Sequence, residues 1–196
     1  MTLRDRRGYS LLEIMLVMAL GVTIAAIAIP MSANALGNFR LSGDARSVSN
    51  GVALAKMRAA SGFSKARLYV DLSTKRHHIE IYQKAAPPGW MWEGGATGIS
   101  QGVTIGYGAL ASPPSGTQST LAQAPPCLDN LGAVIANTAC VVFNSRGIPV
   151  DATGAPTVSD AIYLTDGTAV YGATVIATGM VQLWRSGPTV AAWTKR

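Results

Sequence analysis

The chain has 196 residues, 48% of them hydrophobic and only 13% charged, with a formal net charge of +6. That length suits one globular domain with an added segment, at about 100 to 200 residues per domain, and argues against two. The charge surplus is too mild to demand a nucleic-acid partner. The only two histidines are adjacent, and no Gly-x-Ser-x-Gly, phosphate-loop or His-Glu-x-x-His pattern offers catalysis, so no catalytic residue, metal or cofactor is expected.

From Ile14 to Phe39 there is no charged residue. At about 1.5 Å per helical residue this segment crosses a hydrocarbon core about 30 Å thick. Arg4, Arg6 and Arg7 precede it, which predicts a cytoplasmic N-terminus and an outward C-terminus. Glu13 stands at the head of the apolar run, where a carboxylate is costly and calls for a partner. An Ala-x-Ala pattern, Ala33-Asn34-Ala35, leaves a second reading open: cleavage after Ala35 would release a soluble secreted binding protein. Glu13 argues against a signal peptide, because it interrupts the apolar core.

Past Pro30 the helix is expected to bend but not to end, since proline is tolerated where neighbours replace the lost hydrogen bond. Leu41, Ala45, Val48, Val52, Ala55 and Ala59 then follow at steps of three and four, one apolar stripe with Arg40, Asp44, Arg46, Lys56 and Arg58 off it. Gly62 is placed to stop the helix in a left-handed cap near Ser61.

Ala66 to Leu72 and Arg76 to Tyr82 alternate around Ser73-Thr74-Lys75, which predicts a hairpin. His77 and His78 point to opposite faces of such a strand and are expected at the surface. From Ala85 to Pro126 proline and glycine dominate, so a long irregular insertion is expected, with one short strand at 103–107. Trp90 and Trp92 within it are expected to cover an edge of the core. Cys127 and Cys140 fall on the outward side of the predicted span, where thiols pair; closing that loop contributes roughly 3 kcal/mol in chain-entropy terms. Strands are predicted at 140–143, 161–164, 169–177 and 180–184, with Gly147 supplying positive φ in the turn Asn144-Ser145-Arg146-Gly147.

The stretch Arg6-Arg7-Gly8-Tyr9-Ser10-Leu11-Leu12-Glu13 resembles the processing site of type IV prepilins and pseudopilins, in which a short basic leader ends in Gly and the fifth residue after it is Glu. Pro30 falls at position 22 of the trimmed chain (30 − 8), where such proteins commonly carry proline; Tyr9 stands where Phe or Met is more usual. Val141 to Gly147 is similar to the Phe-x-x-x-Gly turn of the GspH/FimT pseudopilins. Leu54-Ala55-Lys56-Met57-Arg58-Ala59 resembles their helical Leu-Ala-Arg-x-x-Ala segment, and Ala177-Thr178-Gly179-Met180-Val181 their terminal Thr-Gly-Arg-Val strand.

The resemblance implies an α+β, type IV pilin-like fold, with a long N-terminal helix packed on an antiparallel sheet. It divides the chain into a leader (1–8), a helix (9–61, with 9–36 in membrane or filament core) and a β-rich periplasmic head (62–196). It implies cutting between Gly8 and Tyr9 by a prepilin peptidase, N-methylation of Tyr9, and a minor pilin or pseudopilin in a type IV pilus or type II secretion pseudopilus. Implied partners are other pilins, an inner-membrane assembly platform and its cytoplasmic ATPase. Glu13 would meet a neighbour's N-terminus and set register, with Pro30 part of the assembly segment. Some relatives take up DNA through basic residues after the terminal Gly; Met180 and Gln182 stand there instead. Arg185, Lys195 and Arg196, with Trp184 and Trp193 interleaved, are the remaining candidates for DNA contact.

Overall fold

The computed structural model describes residues 10–158 and 160–196. The chain forms two compact units, one ending at Phe39 and one from Arg40 to Arg196. Gly8, Tyr9 and the side chain of Pro30 lie outside the described residues. A single helix, α1, spans Leu11–Ser61. Ser10 starts it by accepting the Glu13 and Ile14 amides at 3.0 and 3.2 Å. Within the apolar stretch the Thr23 and Ser32 hydroxyls donate to the Leu20 and Ala28 carbonyls at 2.8 and 2.9 Å, so neither hydroxyl needs water.

The helix ends at Ser61, where the sequence suggests, but its left-handed cap falls one residue beyond Gly62. The left-handed residue is Phe63 (φ 46°), with Phe63 N–H donating to Ala60 O at 3.4 Å and Ser64 N–H to Ala59 O at 3.2 Å. This is the Schellman arrangement, and it makes Gly62 the cap residue ahead of the left-handed position. The turn is set by which amides reach the orphan carbonyls, so the nearest glycine does not decide it.

In the second unit the stripe Leu41, Ala45, Val48, Val52, Ala55 and Ala59 is wholly buried. It packs with alternate residues of two antiparallel sheets. The first has order β3-β2-β1-β5, from β1 (Ala66–Asp71), β2 (Arg76–Gln83), β3 (Gly89–Gly98) and β5 (Thr138–Phe143). The second has order β4-β6-β7-β8-β9, from β4 (Thr104–Ile105), β6 (Ala161–Thr165), β7 (Val170–Val175), β8 (Val181–Ser186) and β9 (Thr194–Lys195). Leu68 and Val70, Val141 and Phe143, and Ile162 and Leu164 join the stripe in one core. Gly51 permits the closest approach, because a Cβ there would stand 2.9 Å from Leu68 Cδ1. The sequence leads to one sheet; the chain builds two, because β6 to β9 pair among themselves and meet the first sheet only through the core.

The β1–β2 hairpin is as expected. The Asp71 carboxylate accepts from the Ser73 hydroxyl and from the Ser73 and Thr74 amides, and these bonds, the hydroxyl's first, hold its pKa down to about 2. The insertion is more ordered than expected. Its first part forms β3, paired to β2 from Gly98 back to Gly89. Its second part covers the outer face of the second sheet: Gln123 donates to Tyr163 O and accepts from Tyr163 N, both at 2.9 Å, and Gln118 accepts the Tyr163 hydroxyl at 2.7 Å. Gly172, opposite Tyr163, leaves room for that ring, since a Cβ would lie 2.5 Å from Tyr163 Cε1.

Candidate functional site

Residues Leu11–Ile29 form the one helical stretch among the described residues long and apolar enough to cross a membrane. Leu11, Leu12, Ile14, Val17, Leu20, Ile24 and Ile27 are all more than half exposed. An apolar surface this continuous is not sustained in water; it requires lipid or other protein. Glu13 occupies the first turn, where the helix dipole favours a negative charge, and makes no ion pair among the described residues. The candidate anchor therefore carries one acid with no ion-pair partner among the described residues.

In the second unit the three landmarks singled out in the sequence meet at Lys56. The Lys56 ammonium donates to Thr178 O at 3.4 Å, and its methylenes lie where a Cβ on Gly147 would stand, 3.0 Å from Cε. Gly147 (φ 71°) and Gly179 (φ 73°) face one another: a Cβ on Gly179 would be 2.2 Å from Gly147 O. Helix, β5 turn and β7–β8 turn are thus joined at one point that admits no side chain on either glycine. Gly147 has the predicted positive φ.

The outer face of the first sheet carries an aromatic and ionic cluster that sequence reading missed. Arg67, 3% exposed, donates through Nε to Glu80 Oε2 at 2.5 Å and through Nη1 to Leu128 O at 2.6 Å, with Trp90 over its guanidinium at 4.1 Å. Burial lowers the Arg67 pKa and the Glu80 carboxylate opposes that shift. His78 lies between Tyr69 and Trp92, ring centroids 4.7 and 3.8 Å away, with Nε2 3.2 Å from Glu80 Oε1. His77, on the other face, lies against α1. Both histidines are buried, at 4% and 8% exposure, contrary to the surface position expected. Their burial depends on Gly51 and Trp92, far away in sequence, and a regular Trp92-Glu80-Arg67 spacing becomes visible only once β3 is aligned. Trp90 and Trp92 cover this cluster and not the main core.

Cys127 and Cys140 form a disulfide with Cα atoms 5.0 Å apart. The loop it closes brings the Leu128 carbonyl to Arg67. The candidate DNA residues are not gathered. Arg185 pairs with Thr194 and Trp184 with Lys195, so Arg185 and Lys195 project from opposite faces of the second sheet. The Arg185 guanidinium lies 6.0 Å from the Tyr171 ring, and Arg196 is tied by its amide to Leu183 O at 2.9 Å. Trp193 donates its indole N–H to Ser112 O at 2.8 Å and packs near Tyr163. The tail is a ninth strand with a covering residue and not a free basic arm. Among the described residues no group of three or more metal-ligating side chains occurs.

These features define a class: an α+β protein with an apolar, candidate membrane-anchoring N-terminal helix and a disulfide-bearing head of antiparallel sheets. No family model matches the chain, and no curated protein matches it. Among the solved structures similar to it are two of the minor pseudopilin EpsH from the type 2 secretion system of Vibrio cholerae. One is 12% identical over 77% of this chain and 99% of that one, with a TM-score of 0.45. The other is 14% identical over 74% and 92%, with a TM-score of 0.43.

Proposed function

We propose that this chain is a minor pilin or pseudopilin, a structural subunit of a type IV pilus or type II secretion pseudopilus that assembles through its N-terminal helix. The observation that carries the reading is the exposed, apolar surface of α1 headed by a single acid, Glu13, five residues after Gly8 and without an ion pair among the described residues. In this reading a prepilin peptidase cuts between Gly8 and Tyr9 and the new Tyr9 amine is methylated. The helix holds the subunit in the inner membrane, N-terminus inward and head in the periplasm, until an assembly platform draws it into a bundle of like helices with Pro30 in the assembling segment. There Glu13 meets the positive terminus of a neighbour. An ion pair in so apolar a setting fixes register more than it adds stability, because desolvation offsets most of the attraction.

Intact-mass measurement of the membrane-extracted protein, made in cells carrying a prepilin peptidase, tests the processing. A chain beginning at N-methylated Tyr9 is expected; one beginning at Leu36 or retaining Met1 overturns it. Glu13→Ala is expected to leave trimming and membrane level intact while abolishing incorporation into filaments.

A further inference from the structure

An edge strand offers a row of unpaired amides and carbonyls unless something covers it, and the two sheets differ in how their edges are closed. On β5 the Cys140 amide donates to Pro125 O at 2.8 Å and the Val142 carbonyl accepts from the Val150 amide at 2.9 Å, so that edge is occupied. The edge strands of the second sheet, β4 and β9, are each two residues long. Strand β3 is ten residues long and carries neither lysine nor proline, the usual guards of an exposed edge.

Which groups of β3 are open follows from the register. Tyr82 donates its amide to Lys65 O at 2.8 Å, so Tyr82 and Glu80 bond toward β1, and the alternate residues Ile81 and Ile79 bond toward β3. Their partners Met91 and Glu93 therefore aim their backbone groups at β2, while those of Trp90 and Trp92 aim outward from the edge. The Trp90 amide shows that direction, donating to Oδ1 of Asn130 in the disulfide-closed loop at 2.7 Å. Trp90 O and the N–H and C=O of Trp92 have no partner among the described residues. Past Glu93 the register with β2 shifts, so the regular part of the edge stops there. What is left is a short line of acceptor, donor and acceptor, which the backbone of another extended chain matches. Met91 on the inner face and Trp92 on the outer are 55% and 57% exposed, so a strand laid beside them is apolar on both faces.

A second copy could offer only this same strand, because the other edges are covered or short. Antiparallel pairing of two β3 edges is two-fold about an axis perpendicular to the joined sheet, which sets the two α1 helices running in opposite directions. Helices bundled in one filament run the same way. We infer that the β3 edge at Trp92 accepts an extended apolar segment of a different subunit as one more strand, an inference that rests on the assembly reading above. The full chain, in detergent micelles with its tryptophans isotopically labelled, is titrated with acetyl-Lys-Val-Val-Val-Lys-amide. The control is the same peptide N-methylated at every residue, which keeps its side chains and loses its donors. A saturable shift of the Trp92 amide and about tenfold slower exchange of its proton are expected with the first peptide and not with the second. Trp92→Pro deletes the outward donor and leaves the bonds to β2, whereas Trp92→Ala deletes the indole and keeps the donor. Followed at the Trp90 amide, binding is expected to be about tenfold weaker in the proline variant than in the alanine one, with circular dichroism and melting checked for both. A Trp92 amide already protected in the free chain, no saturable shift, equal response to the N-methylated peptide, or equal binding by the two variants overturns the inference. So does self-association that protects the Trp92 amide as concentration rises, since the occupant would then be a second copy. In cells the proline variant, still trimmed to Tyr9, is expected to enter filaments about tenfold less than the alanine variant, and equal entry overturns the partner. The titration needs neither trimming nor assembly, so an untrimmed chain counts against the proposed function while the result at the edge stands.

Discussion

Asp160 is 4% exposed, and burial first, then the charge of Asp151, raises its pKa from 3.8 to about 7. A carboxyl whose folded pKa lies above its unfolded one holds its proton in the folded state while the unfolded chain has lost it. Stability therefore falls as pH rises from about 4 to about 7 and stays low above that. Asp160→Asn is expected to remove the slope and to add about 1 to 3 kcal/mol at pH 8 but little at pH 4, read from denaturant midpoints at the two pH values. The reverse sensitivity applies at Gly179. A methyl there meets Gly147 O at 2.2 Å in a left-handed backbone, so Gly179→Ala is expected to cost at least about 2 kcal/mol in the same unfolding experiment. Position 147 was legible in the sequence as a turn glycine. The need for Gly179 was not, because it arises from another loop's carbonyl.

At the scale of elements, the helix stripe was the clearest signal in the sequence, and all six of its residues are fully buried. Periodicity is a local property, so a sequence displays it directly. The cap beyond the helix end was less legible: Phe63, and not Gly62, takes the left-handed position, and it is 75% exposed, so little packing depends on it. Phe63→Gly is expected to raise stability by about 1 kcal/mol, measured by thermal or denaturant unfolding, through relief of the backbone. Strand β3 escaped notice for a different reason. Gly89, Gly94, Gly95 and Gly98 give it poor strand propensity, and what holds it is register with β2 and the stacking of Trp92 on His78. Tertiary partners decide such a strand, and the same partners bury the histidines that appeared exposed.

For the whole molecule, the candidate anchor was legible because an uncharged run of that length has few other uses, and Glu13 because it breaks the run. The Arg67 cluster was not, since it combines residues from β1, β2, β3 and the loop after Cys127. The second unit begins at Arg40, ahead of Leu41 and the rest of the buried stripe. Anyone seeking a detergent-free sample faces a choice of where to cut. A fragment starting at Arg40 keeps every helix side chain that the sheets enclose and is expected to unfold cooperatively and remain monodisperse in buffer. One starting at Ser64 discards the wall on which both sheets close and is expected to aggregate, a contrast that size-exclusion chromatography settles in a single run.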